Sequence, residues 1–210
     1  MAMHSNVFVD GKELTQIEIA TGKREVKEMQ KILNGPGHAK AEESMTATSP
    51  LSAKFKQLYI EIQKQESAME AYNEEFNIVA VNKSMLSTQP ARDEARKKFV
   101  DYDGTVNAYF DTEIKLIKDI QDLCVQVDGY ESTEVAAVSR KLETGKSDYV
   151  KVQAARKSLL DYLDKTPHVL SASGQATFAT DAQVKGFNDC VNAFQTITNE
   201  YAQHLKNPGG

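Results

Sequence analysis

The 210-residue sequence has no tryptophan, only two cysteines and only five prolines. Cys124 and Cys190 lie far apart, so no disulfide framework and no cysteine zinc site can be drawn from their spacing. They are expected to be buried free thiols in a reducing compartment. A basic excess is also missing: 25 Lys and Arg stand against 30 Asp and Glu, a net charge of −5. That balance argues against a dedicated nucleic-acid binder. The first thirty residues hold no apolar run longer than Val7–Phe8–Val9, so no secretory core is present. Nothing approaches the ~20 apolar residues that span a bilayer. The expected location is cytoplasmic, with peripheral membrane attachment left open.

Reaction motifs are lacking too. Thr144–Gly145–Lys146–Ser147 echoes the end of a phosphate-binding loop, but Arg140 stands where that loop needs its first glycine. Glu200 and His204 are one helical turn apart, yet the further Glu-x-x-His pairs of a di-iron bundle are absent. No nucleophile elbow and no His-Glu-x-x-His are found. His4, His38, His168 and His204 fall in polar or loop segments and read as ordinary surface histidines. Paired carboxylates such as Glu74–Glu75 read as solvated helix faces. No enzyme activity, catalytic residue, cofactor or metal is expected.

What the chain does have is periodicity. From Leu51 the series Leu51, Phe55, Leu58, Ile62, Gln65, Met69, Tyr72, Phe76, Val79, Lys83, Leu86 alternates steps of three and four, and nine of its eleven members are apolar. Such a seam belongs to a helix packed lengthwise on other helices. Ser49–Pro50 supplies a cap and a first-turn proline. Pro90 opens a second helix whose seam, Ala95 to Val127, has Glu113 as its one polar member. The pattern resumes at Val135 and runs through Val138, Leu142, Gly145, Tyr149, Val152, Arg156, Leu159 and Leu163. The phase shift at 128–130 fits either a stutter in one kinked helix or a tight turn between two. Residues 166–180 read as a loop, and Val184, Phe187, Val191, Phe194, Thr198, Tyr201 and Leu205 mark a last helix. Tyr72, Tyr102, Tyr109, Tyr149 and Tyr201 are expected in the core with hydroxyls at its wet edge.

The fold class is therefore all-α: a long antiparallel bundle or coiled coil of three kinked or four helices, with a small N-terminal appendage. Residues 49–207 form the bundle. Residues 1–48 hold a candidate hairpin around Asp10–Gly11, a short basic amphipathic helix at 23–33 stopped by Asn34–Gly35–Pro36–Gly37, and a linker at 38–48.

Basic residues gather late in the middle region: Arg140, Lys141, Lys146, Lys151, Arg156 and Lys157, against Glu143, Asp148 and Asp161. A second cluster is Arg92, Arg96, Lys97 and Lys98. One reading is a solvated face with local charge pairing. The other is a surface for anionic lipid, worth about 1 kcal/mol per basic residue near the membrane.

Residues 184–205 resemble the last helix of BAR domains, crescent-shaped helical dimers that bind and bend membranes. Arg140–Lys141–Leu142 followed by Asp148–Tyr149 is similar to a basic segment of that family's long middle helix. The helix order over 49–206 also resembles the family's, and 23–33 stands where some members carry a membrane-inserting helix. The resemblance implies a non-enzymatic homodimer that contacts anionic membrane surfaces or membrane-traffic partners. Arg140, Lys141 and Lys146 would be lipid-facing, with Lys151, Arg156 and Lys157 extending that stretch. The alternative is a soluble helical-bundle scaffold or adaptor that binds only protein partners. No nucleic acid is expected as a partner.

Overall fold

The computed structural model describes residues 6–33, 45–76, 88–128, 132–170 and 175–206. They form β1 (Phe8–Val9), β2 (Lys12–Glu13), α1 (Gln16–Leu33), α2 (Pro50–Phe76), α3 (Gln89–Asp128), α4 (Thr133–Lys165), β3 (His168–Leu170), β4 (Ala176–Phe178) and α5 (Asp181–Lys206). The fold is all-α, and among the described residues strands are confined to two tiny hairpins. The expected stop at 34–37, most of the 38–48 linker, the seam beyond Phe76, His4, His38 and the final four residues lie outside the described residues.

Two compact units divide the chain: one takes the described residues up to Ala68 with 112–140, the other 69–111 with those from 141 on. The expected boundary at 48/49 falls inside the first. Here β1 pairs antiparallel with β2, Val9 opposite Lys12. Asp10 and Gly11 make the turn at φ 50° and 80°, the positive values that a two-residue hairpin turn requires. The following helix starts at Gln16, earlier than the expected Lys23. Thr15 and Glu18 form a capping box: the Glu18 carboxylate accepts from Thr15 N at 2.8 Å, and Thr15 Oγ1 accepts from Glu18 N at 3.2 Å.

Helix α2 begins on Ser49, whose Oγ accepts from Ser52 N at 3.2 Å. Glu25 of α1 reaches into this start. Its carboxylate takes Thr48 N at 3.0 Å, Ser49 N at 3.3 Å, and the hydroxyls of Thr48 and Ser52. An acidic group at a helix N-terminus satisfies orphan N–H groups and complements the helix dipole. Val7, Val9, Leu14, Ile19 and Met29 are buried in this unit alongside Leu51, Phe55, Leu58 and Ile62 of α2 and Leu116, Ile120 and Leu123 of α3.

In the second unit α3 and α4 run antiparallel. Arg92 pairs with Asp164, Arg96 with Asp161, Asp103 with Arg156 and Asp111 with Lys146, so the partners climb one helix as they descend the other. A continuous helix with a stutter cannot give that order, so α3 and α4 are two separate helices; residues 129–131 between them lie outside the described residues. Ser132 caps the new helix, accepting from Val135 N at 3.3 Å. The expected loop at 166–180 instead contains a hairpin, with Val169 opposite Thr177. Its inward residues hold ring contacts: Phe178 lies 6.3 Å from Tyr162 and 5.2 Å from Phe187. Helix α5 returns antiparallel along α4. Tyr162 donates to the Gln183 carbonyl at 2.8 Å near one end, and His204 Nδ1 meets Asp148 at 2.6 Å near the other.

Candidate functional site

Six basic positions of α4 carried the lipid expectation, and the fold treats them unequally. Arg140 and Lys141 are exposed, and no ion pair engages either among the described residues. Lys146 is half-buried against Asp111. Lys151 reaches Asp148 and Lys157 reaches Asp161, each at 2.6 Å. Hydrogen bonds from those lysines, the largest influence in each case, hold both carboxyls below their usual range. Arg156 is a core residue, 8% exposed at its side chain, bound to both oxygens of Asp103 and stacked 4.0 Å over Phe99. Its guanidinium is committed inward and presents no charge to a surface. The second cluster divides the same way. Arg92 is buried on Asp164, and Arg96 Nη2 bridges Asp161 and Asp164 at 2.8 and 2.7 Å. Lys98 meets Glu94 at 3.7 Å, and Lys97 is exposed.

Around Arg156 an aromatic network forms. Tyr72 stacks on Tyr102 at 5.7 Å, and Tyr149 touches Tyr102, Phe110 and Tyr201. Tyr149 departs from the expected wet-edge placement. It is buried, and its hydroxyl donates internally to Asp103 at 2.7 Å. Burial, then the Asp103 carboxylate, push its phenol far above the usual range, and burial pushes Tyr201 up to about 12. Both stay neutral donors near neutral pH.

No group of three or more His, Cys, Asp or Glu among the described residues is placed to hold a metal ion. Thr144–Gly145–Lys146–Ser147 lies inside α4. A Cβ on Gly145 would come 3.2 Å from the Phe110 ring, so this stretch is a helix contact and not a phosphate loop. Glu113 has its carboxyl raised to about 7 by burial and by Glu66, the kind of perturbation found in general bases. At 2% exposure it lines neither of the two cavities described here. Cys124 is buried and Cys190 half-buried, and the two are not joined in a disulfide.

What remains is apolar surface. A groove of about 400 Å³ runs between α3 and α4 in the second unit. Phe99, Val100, Val150, Ala154 and Leu160 line it, with Arg96, Arg156 and Lys157 beside them. Val100 is 69% and Val150 49% exposed. Periodicity analysis passed over both because they lie off the seam; an off-seam valine next to a seam aromatic was the available signal. The other surface is α5. Phe187, Val191, Phe194, Ile197 and Tyr201 recur on one face, yet no described residue of this helix is fully buried, and Val184 is 40% exposed. No helix of the described residues is long and apolar enough to cross a membrane. No protein-family model, curated protein or solved structure matches this chain.

Proposed function

We propose that this chain is a non-enzymatic helical dimer that closes through α5 and serves as a scaffold at anionic membrane surfaces or for membrane-traffic partners, as the BAR-domain resemblance implies. The observation that carries the reading is the incomplete burial of α5. Its apolar residues repeat along 26 residues, while every other helix has buried residues on its seam. A second copy laid along Val191 and Phe194 would remove that face from water, at roughly 25 cal/mol per Å² of apolar area. Of the six basic α4 positions, Arg140 and Lys141 are the ones with no carboxylate partner among the described residues, and they would meet an anionic surface.

A protein-only scaffold is the second reading. The pairing of Lys146, Lys151, Arg156 and Lys157 with carboxylates favours it, because those charges are already balanced within the chain. One pair of measurements separates the readings. Sedimentation equilibrium is expected to give a dimer, and F194E a monomer; a wild-type monomer at micromolar concentration overturns the α5 interface. Co-sedimentation with anionic vesicles is expected to be salt-sensitive and to fall at least about fivefold in R140E/K141E. A dimer that ignores vesicles at both low and physiological salt leaves the protein-only scaffold.

A further inference from the structure

We propose that the contact between α2 and α3 at Glu113 is a proton-operated latch, shut while Glu113 is protonated and parted locally once it ionises. The contact belongs to the first unit and depends neither on α5 nor on Arg140 and Lys141. Its apolar part is buried on both helices, through Leu58 and Ile62 of α2 and Leu116, Ile117 and Ile120 of α3. Glu113 shares that seam at 2% exposure, and its Oε1 is shut off from water with no hydrogen-bond donor among the described residues. About two turns along α3, Gln121 has both amide atoms in the same condition. A buried polar atom without a partner is costly, and natural folds keep few of them. Glu113 and Gln121 together mark the stretch of α3 where entering water satisfies most.

Among the described residues no charge compensates an ionised Glu113. The charged group that acts on it is Glu66 of α2, which has the same sign. Glu66 is exposed and accepts from Gln63 Nε2 at 2.8 Å. Lys115 is held by Asp119, and Lys146 of α4 by Asp111. No other charged described residue acts on Glu113, including Glu61 and Lys64 of α2 and Arg140, Lys141 and Glu143 of α4. An ionised carboxylate buried without donor or counter-ion costs far more than the neutral acid. Glu25, buried in the same unit, keeps its charge because four groups donate to it. For Glu113 the remaining donor is water, which reaches it when α2 and α3 part. Leu51, Phe55 and Leu123 come together further along the same helices with no buried carboxyl among them, so that contact stays closed and the parting is local. Opening releases the proton. It therefore becomes easier as pH rises from the ordinary 4.5 to about 7, where the closed form ionises as well, and no easier above that.

The test is hydrogen–deuterium exchange of the full chain, read by mass spectrometry from pH 5 to pH 8 with times scaled to the intrinsic rate at each pH. Peptides covering 58–66 and 113–121 are expected to lose at least about thirtyfold in protection across that range. Peptides covering 16–29 and 149–163 are expected to change little. E113Q keeps the shape, cannot ionise and is expected to hold the same protection at every pH. E66Q removes the like charge at an exposed position and is expected to shrink the wild-type change, which keeps the test decisive should E113Q misfold by circular dichroism. Protection independent of pH at 58–66 and 113–121 overturns the proposal. So does a loss shared equally by 16–29 and 149–163, which would leave Glu113 a contribution to global stability alone. An E113Q protein, or where that misfolds an E66Q protein, that loses protection as wild type does overturns it too.

Discussion

Glu113 occupies a seam position of α3, 2% exposed, with Oε1 unpartnered among the described residues. Burial, then the charge of Glu66, raise its carboxyl from the usual 4.5 to about 7. Glu25 is nearly as buried, and burial pushes its carboxyl up as well. Hydrogen bonds from Ser52, Thr48 and Ser49 outweigh that and bring it down to about 2. The sign for Glu113 follows from linkage. Between pH 4.5 and 7 the folded state holds a proton that the unfolded chain has released. Its stabilising share is complete below pH 4.5, declines as pH rises through 7 and is absent above. E113Q keeps the shape and removes the titration. Urea unfolding is expected to show E113Q gaining on wild type by on the order of 2–3 kcal/mol between pH 5 and pH 8. A difference that does not change with pH refutes the buried, proton-holding carboxyl. The sequence marked Glu113 as the one polar member of its seam. Glu25 was invisible, because its partners lie more than twenty residues away, beyond the reach of periodicity.

At the scale of elements, the long helices were legible because their seams repeat over many turns, and a repeated signal survives single exceptions such as Gln65 or Arg156. The β3–β4 hairpin was not, because strands of three residues give one alternation each and are held by distant rings, Tyr162 and Phe187. The early start of α1 could have been read from Thr15 and Glu18, a capping spacing that precedes the apolar pattern. Arg156 illustrates a conflict between two signals: charge placed it on a lipid face, whereas its place between Val152 and Leu159 on the seam pointed inward, and the seam prevailed. Glycines within helices give an opposed pair of expectations. Alanine is usually favoured over glycine in a helix by about 1 kcal/mol. Gly104 on α3 has nothing within 4 Å of a built Cβ, so G104A is expected to gain about 0.5–1 kcal/mol. Gly22 on α1 would place its Cβ 2.6 Å from Ser49 Oγ and 2.8 Å from Leu51 Cβ. G22A is therefore expected to lose about 1–3 kcal/mol through overpacking where α1 meets the start of α2. Thermal unfolding of both variants checks the signs; a gain in G22A would mean that α1 does not pack there.

For the whole molecule, the question is which charges hold the fold and which remain for a partner. Arg156 anchors the α3–α4 contact: its guanidinium stacks over Phe99 and binds Asp103, and Asp103 in turn accepts from Tyr149. Breaking a buried pair leaves one charge uncompensated, at a cost of about 3–5 kcal/mol. The two halves are not equivalent, because Asp103 is 22% exposed and Arg156 8%. D103A strands the more buried charge and is expected to reach that range. R156M puts an apolar side chain beside Phe99 in place of the guanidinium and leaves Asp103 bonded to Tyr149 and partly wet, so it is expected to cost less. Arg140 and Lys141 anchor nothing comparable, and R140E/K141E is expected to leave thermal unfolding within about 0.5 kcal/mol of wild type. Stability and surface binding should therefore move separately. D103A and R156M are expected to lower the unfolding midpoint without changing vesicle affinity at temperatures where they are folded, and R140E/K141E to do the reverse. Unaltered stability in D103A would dismiss Arg156 as a structural charge and return it to the candidate surface. Parallel loss of stability and binding in R140E/K141E would remove those two residues from it.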